Sequence, residues 1–212
     1  METKHHVYNL IILDESGSMN SIKNTIISGF NEIVQTVKGV AAQFPEQAHY
    51  ISLVSFNGLG IKTHLSCAAV EKLDEINGEL YRPSSSTPLF DAMGEAITAL
   101  RQTTDTLSNC NVLVTIMTDG MENASKEYNK AAIKALVDEL GEKNWTFTYI
   151  GADHDIESFA ESISIKNTMR FEKNLASMSR MFASESRSRA YYSQKIREGR
   201  STKENFYSED DE

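Results

Sequence analysis

The chain lacks the residues that would place it in several common classes. Only two cysteines occur among 212 residues, Cys67 and Cys110, and neither has a second cysteine nearby or the full Cys/His ligand set of a zinc site. That excludes a disulfide framework and a zinc knuckle, and it suits a reducing compartment. No run of about 18 apolar residues is present to span a bilayer. The opening Met1-Glu2-Thr3-Lys4-His5-His6 also lacks the apolar core of a secretory signal. Both absences predict a soluble, cytoplasmic chain with no membrane contact. Basic charge is short as well: 21 Lys and Arg stand against 30 Asp and Glu, a net charge of -9. No global field attracts nucleic acid, which is therefore disfavoured as a partner. A Gly-x-Ser-x-Gly nucleophile elbow, a P-loop and a Gly-x-Gly-x-x-Gly dinucleotide loop are all missing. No repeat shows at solenoid period.

What remains is 40% hydrophobic and 24% charged, the composition of one globular domain with a sizeable core. Composition sets no oligomeric state. Apolar runs at 8–13, 50–56, 61–65, 112–117, 145–150 and 168–171 read as strands. Between them, Ile22, Ile26, Phe30, Ile33 and Val37 have amphipathic helical spacing, and so do Phe90, Met93, Ile97 and Leu100, then Tyr128, Ala132, Leu136 and Leu140. Shorter helices are expected at 70–76 and 156–163. Asn57-Gly58-Leu59-Gly60 is a hairpin turn, which makes the third strand antiparallel to the second. Strands apolar on both faces, alternating with helices, imply an α/β fold, a doubly wound, mostly parallel sheet covered on both sides. The domain is expected to end near residue 172. Residues 173–212 then form a helical extension over 174–196, read as a solvated basic helix, with the last dozen residues disordered around the acidic Glu209-Asp210-Asp211-Glu212.

Two of the buried strands run into acidic turns. Leu10-Ile11-Ile12-Leu13 is followed by Asp14-Glu15-Ser16-Gly17-Ser18, and Ile116-Met117 by Thr118-Asp119-Gly120. Ligands of such sheets sit outside the carboxyl ends of the strands, where strand order reverses. Each fragment alone has a plain structural reading: Asp-x-Ser-x-Ser caps the following helix, Thr87 before Pro88 is an N-cap, and Asp119-Gly120 is a turn. Taken together, two carboxylates and three hydroxyls form an oxygen donor set suited to Mg²⁺, which takes six oxygens and keeps several waters.

This combination, Asp14-x-Ser16-x-Ser18, Thr87 in a Ser-Thr-Pro-Leu loop and Thr118-Asp119-Gly120, resembles the von Willebrand factor type A domain family over roughly residues 6–172. The resemblance implies a Rossmann-like sheet of six strands with a short antiparallel third strand, and a metal-ion-dependent adhesion site. Ser16, Ser18 and Thr87 would give hydroxyl oxygens to a divalent cation. Asp14 and Asp119 would act through water or directly. The cation would be Mg²⁺, with Mn²⁺ or Ca²⁺ as alternatives, and it would bridge to an Asp or Glu carboxylate of a protein partner.

Competing functions are an Mg²⁺-dependent, phosphatase-like hydrolase and RNA binding through the basic segment from Arg180 to Lys203. The first is weakened because Ser16, not a second aspartate, follows Asp14 by two positions, and because no general base is evident, so no enzymatic activity is expected. Glu15 and Asp91 are nearby acids expected outside the coordination shell. His5 and His6 read as solvated residues of a frayed terminus, His154 as part of a polar loop cluster at the rim, Cys67 and Cys110 as small packed side chains, and Tyr191 with Tyr192 as a potential docking anchor.

Overall fold

The computed structural model describes residues 4–72, 75–152 and 155–207. Among them the chain runs β1 (His5–Asp14), α1 (Lys23–Gln43), β2 (Gln47–Asn57), β3 (Gly60–Ala69), α2 (Leu89–Thr104), β4 (Cys110–Thr118), α3 (Lys130–Gly141), β5 (Trp145–Gly151), α4 (Ile156–Glu161), β6 (Asn167–Arg170) and α5 (Leu175–Arg197). The strands form one sheet in the order β3-β2-β1-β4-β5-β6, parallel throughout except for β3, which pairs antiparallel with β2. This is the expected doubly wound α/β architecture.

The doubly apolar runs are the central strands, because β1 and β4 are covered on both faces. On one face Leu10, Ile12, Val112, Val114 and Ile116 meet α2, α3 and α4 through Met93, Ile97, Ile133, Val137 and Ile156. On the other, Ile11, Leu13, Leu53 and Met117 meet α1 and α5 through Ile26, Phe30, Ile33, Met178 and Phe182. Side chains alternate across each strand, so one strand feeds both cores. Burying each Ile, Leu or Val stabilises the fold by roughly 1.5–3 kcal/mol.

The C-terminal helix departs from its sequence reading. It is capped by Asn174, whose side chain accepts the Ser177 N–H, and it lies against α1 so closely that a Cβ on Gly29 would fall 2.0 Å from the Phe182 ring. Two of its basic residues, Arg189 and Lys195, are internal, while Arg180, Arg187 and Arg197 stay exposed. Arg189 is buried, its guanidinium donating to Asn9 Oδ1 at 2.8 Å and Thr115 Oγ1 at 2.7 Å and pairing with Glu185 at 2.7 Å. Tyr207 donates to the other Glu185 oxygen at 2.7 Å. A charge-rich composition reads as solvated, but an ion pair with most of its lone pairs and protons engaged can sit inside; among the described residues only Nε of the Arg189 guanidinium nitrogens makes no hydrogen bond. Residues 201–207 are likewise docked rather than disordered: Phe206 packs on Val7, Leu113 and Tyr192, and Thr202 accepts from Asn111. Tyr192 is therefore a core residue, while Tyr191 carries Lys195 and Arg200 over its ring. The acidic segment 209–212 lies outside the described residues. Of the helix expected at 70–76, the described residues show a 3₁₀ turn over Val70–Lys72, and residues 73 and 74 lie outside them.

Candidate metal site

The sheet reverses its winding between β1 and β4, and both aspartates lie there. Leu13 is registered opposite Met117, so Asp14 and Asp119 emerge side by side at the carboxyl ends of adjacent parallel strands. Beyond Asp14 the backbone turns through Glu15 and Ser16 into a 3₁₀ stretch, Gly17–Ile22, that leads into α1. The third contributor arrives by backbone stitching. Ser84 N–H donates to Glu15 O at 2.9 Å, Gly17 N–H donates to Ser85 O at 3.0 Å, and Ser85 adopts a φ of 67° to make that approach. Thr87 is then pinned to the loop after β4, its N–H donating to Asn123 Oδ1 at 3.0 Å and its carbonyl accepting from Asn123 N–H at 3.2 Å.

The five side chains converge. Ser16 Oγ and Ser18 Oγ are 3.1 Å apart, and Ser18 Oγ donates to Asp119 Oδ1 at 2.6 Å. A Cβ built on Gly120 would lie 3.4 Å from Thr87 Oγ1 and 3.8 Å from Ser18 Oγ, so both hydroxyls face the same turn. Thr87 Oγ1 makes no hydrogen bond among the described residues. It does not cap α2. Pro88 holds the cap position, and Glu122 accepts the Phe90 N–H at 2.9 Å while Ser125 Oγ accepts that of Asp91 at 3.0 Å. With the helix amides satisfied elsewhere, the threonine hydroxyl is left for the site. Nor does Ser16 or Ser18 cap a helix: neither the 3₁₀ stretch nor α1 has a side-chain cap.

Asp14 is fully buried. Its Oδ1 accepts from Ser16 N–H at 2.7 Å, its Oδ2 from Thr118 Oγ1 at 2.6 Å, and its carbonyl from Tyr81 Oη at 2.6 Å. Burial nonetheless pushes its pKa up to about 6; the Thr118 and Ser16 hydrogen bonds oppose that shift and the neighbouring Asp119 charge adds to it. The same burial, beside the Asp14, Asp119 and Glu15 charges, raises the Tyr81 phenol far above its ordinary value. Asp119 is also buried, and among the described residues its Oδ2 accepts no well-formed hydrogen bond but lies 2.9 Å from Lys173 Nζ. Two buried carboxylates with spare lone pairs, ringed by hydroxyls and open to solvent at Ser18, could hold a small hard cation. Among the described residues no three His, Cys, Asp or Glu side chains cluster, so nothing competes for a softer metal.

The neighbouring acids have other work. Glu15 is buried and turns away toward β2, accepting from Ser55 Oγ at 2.8 Å and from Arg82 N–H. Asp91 accepts the N–H groups of Lys126, Glu127 and Tyr128 and thereby ties the loop after β4 to α2. Three backbone donors hold its pKa below the usual carboxylate range against a desolvation penalty. His5 is tied at the start of β1 by Asn109 and Asn111, and His6 stacks on Tyr50, so neither belongs to a frayed end. His154 lies outside the described residues. The supports that sequence reasoning missed are Tyr81, Thr118, Glu122, Asn123 and Lys173. Thr118 alone carried a signal, its place in the strand-ending Thr-Asp-Gly.

Fold and cluster together define a doubly wound α/β domain with a hydroxyl and carboxylate cluster at its switch point. The von Willebrand factor type A domain model matches residues 10–195, and the chain belongs to that family. Among solved structures it is similar to a von Willebrand factor type A protein from Catenulispora acidiphila (14% identity, TM-score 0.60, covering 90% of this chain and 43% of that one). It is also similar to the SpRpn10 VWA domain (11% identity, TM-score 0.53, 84% and 94%) and to the pilus adhesin SpaC of Lactobacillus rhamnosus GG in an open conformation (11%, 0.63, 90% and 30%). At these identities the likeness is one of fold, and the chain spans less than half of the first and last of these proteins. No curated protein matches the sequence.

Proposed function

We propose that this domain is a metal-dependent protein-binding module. The observation that carries the reading is the convergence of Asp14, Ser16, Ser18, Thr87 and Asp119 from three separate loops. Ser16, Ser18 and Thr87 would offer hydroxyl oxygens and the two aspartates carboxylate oxygens, directly or through water, to Mg²⁺, with Mn²⁺ or Ca²⁺ as alternatives. Bound there with few negative ligands, the cation keeps an electrophilic position that an Asp or Glu of a partner protein completes.

The rim supports a protein as the partner. Leu59 (80% exposed), Leu80, Met121 (62%) and Leu175 (71%) are the large hydrophobic residues most open to solvent among those described. Leu59 lies in the turn after β2, Leu80 beside Tyr81, Met121 just after Gly120, and Leu175 at the start of α5 beyond β6, all at the carboxyl end of the sheet. Apolar contacts around a charged centre are what a protein interface supplies. RNA binding is disfavoured by the net charge of -9 and because much of the basic segment is already paired with acids: Arg189 is buried against Glu185, and at the surface Arg197 pairs with Glu46, Arg200 with Glu198 and Lys203 with Glu142. Hydrolysis is disfavoured too. Ser55 and His64 touch at 2.7 Å, but Ser55 is buried, already bonded to Glu15, and beside a cavity of only about 10 Å³. No described helix is long and apolar enough to cross a membrane.

The test is affinity capture from the source cell with Mg²⁺ or with chelator, with Asp14→Ala as control. A partner recovered only by the wild type in Mg²⁺ is expected. Equal recovery in all three conditions contradicts the metal bridge, and Mg²⁺-dependent turnover of phosphate esters lost in Asp14→Ala would establish the hydrolase instead.

A further inference from the structure

Lys173 lies in the turn between β6 and α5, and its Nζ stands 2.9 Å from Asp119 Oδ2. Its side chain is 24% exposed, whereas that of Asp119 is wholly buried. The other oxygen of Asp119 is engaged by Ser18 Oγ at 2.6 Å, so ammonium and hydroxyl between them cover the carboxylate that the candidate site draws from β4. Lysine is a compact point charge on a flexible stem and can leave such a contact without moving the backbone. Asn174, the next residue, caps α5, and α5 is anchored through Arg189 and Glu185, so the root of the lysine is held in place.

We propose that Lys173 is a tethered cation that occupies the electrostatic position of the divalent ion and sets the affinity of the site for it. The inference rests on the metal-site reading. A dication entering beside Asp119 must displace the ammonium or bind against its repulsion, and either route weakens binding. Lys173 is a tuning residue, not a metal ligand. It offsets the charge of the buried Asp119 carboxylate when no metal is bound, and it makes loading depend on the free concentration of the ion.

The experiment is calorimetric titration of the full chain with Mg²⁺ alone, comparing the wild type with Lys173→Met, Lys173→Arg and Asp14→Asn. Lys173→Met preserves the stem and removes the charge, and it is expected to bind Mg²⁺ at least about tenfold more tightly than the wild type. Lys173→Arg is expected to stay within a few-fold of the wild type, and Asp14→Asn to lose binding. A second readout is the rate at which Lys173 is acetylated by a soluble amine-reactive reagent, followed by peptide mass spectrometry. Saturating Mg²⁺ should raise that rate in the wild type and leave it unchanged in Asp14→Asn. If Lys173→Met binds Mg²⁺ no more tightly than the wild type, with Lys173 labelling insensitive to the metal, the tuning role is overturned and the site stands. If neither the wild type nor Lys173→Met binds Mg²⁺, the site itself is overturned and the tuning role with it.

Discussion

Replacing Asp14 with asparagine should stabilise the metal-free protein at neutral pH. Asp14 is fully buried, and its carboxyl is held at about 6 against an ordinary value of 3.8. A folded-state pKa above the unfolded one means that the native protein holds this proton more tightly. The resulting stabilisation is complete below about pH 4 and is lost as pH rises through about 6, so above that the ionised carboxylate destabilises the empty fold. A shift of about two units corresponds to roughly 3 kcal/mol. Because the side chain is inaccessible, solvent screening takes little from this. Asparagine keeps an oxygen for the Ser16 N–H and carries no charge. Urea unfolding in EDTA at about pH 4 and about pH 7.5 should show the Asp14→Asn advantage growing by up to roughly 3 kcal/mol, a midpoint shift of about 1–2 M. Other titrating groups are common to both proteins and cancel. A difference that is the same at both pH values would refute the reasoning that Asp14 is a desolvated, uncompensated carboxylate.

Three further outcomes are expected. Thr87→Val removes a hydroxyl that bonds to nothing in the described protein, so its urea midpoint should stay within about 0.5 kcal/mol of the wild type while Mg²⁺ affinity falls by roughly tenfold or more. Arg189→Met leaves Glu185 charged, buried and short of its partner beneath α5, and should cost about 3–5 kcal/mol in denaturant unfolding, with Glu185→Met in the same chain restoring part of it. His49 is buried with neither ring nitrogen hydrogen-bonded among the described residues, and desolvation lowers its pKa to about 4. Its sign is opposite to that of Asp14: stability is full above about pH 6.5 and is lost as pH falls toward 4, and His49→Leu should flatten that limb of the unfolding profile by up to roughly 3 kcal/mol.

How far the chain could be read in advance follows from where each signal lives. Strands such as Val112–Met117 are apolar on both faces because helices cover both, and the Asn57-Gly58 turn announces the reversal into β3, so layers and strand direction are written locally. Asp14, Ser16, Ser18, Thr87 and Asp119 were visible because each sits in a short motif at the end of a predicted strand or start of a helix. The supports around them carry no such pattern. Tyr81, Asn123 and Glu122 act across 67, 36 and 32 residues of sequence, and only tertiary folding brings them to their partners. α5 misled for a related reason. Its Arg189 and Glu185 have the spacing of an exposed helical pair, and nothing local says that Asn9 and Thr115 on the sheet, and Tyr207 in the segment after α5, wait to receive them.

The central claim, that five oxygen-bearing side chains from three loops form one divalent-cation site, is tested most directly with Mn²⁺ as a paramagnetic probe. Titration followed by electron paramagnetic resonance should show one saturable Mn²⁺ per chain, displaced by Mg²⁺, lost in Asp14→Asn and Asp119→Asn, and weakened in Thr87→Val. A bound Mn²⁺ that persists at the same stoichiometry in both aspartate variants would contradict the account, as would the absence of a saturable site from both the wild type and Lys173→Met.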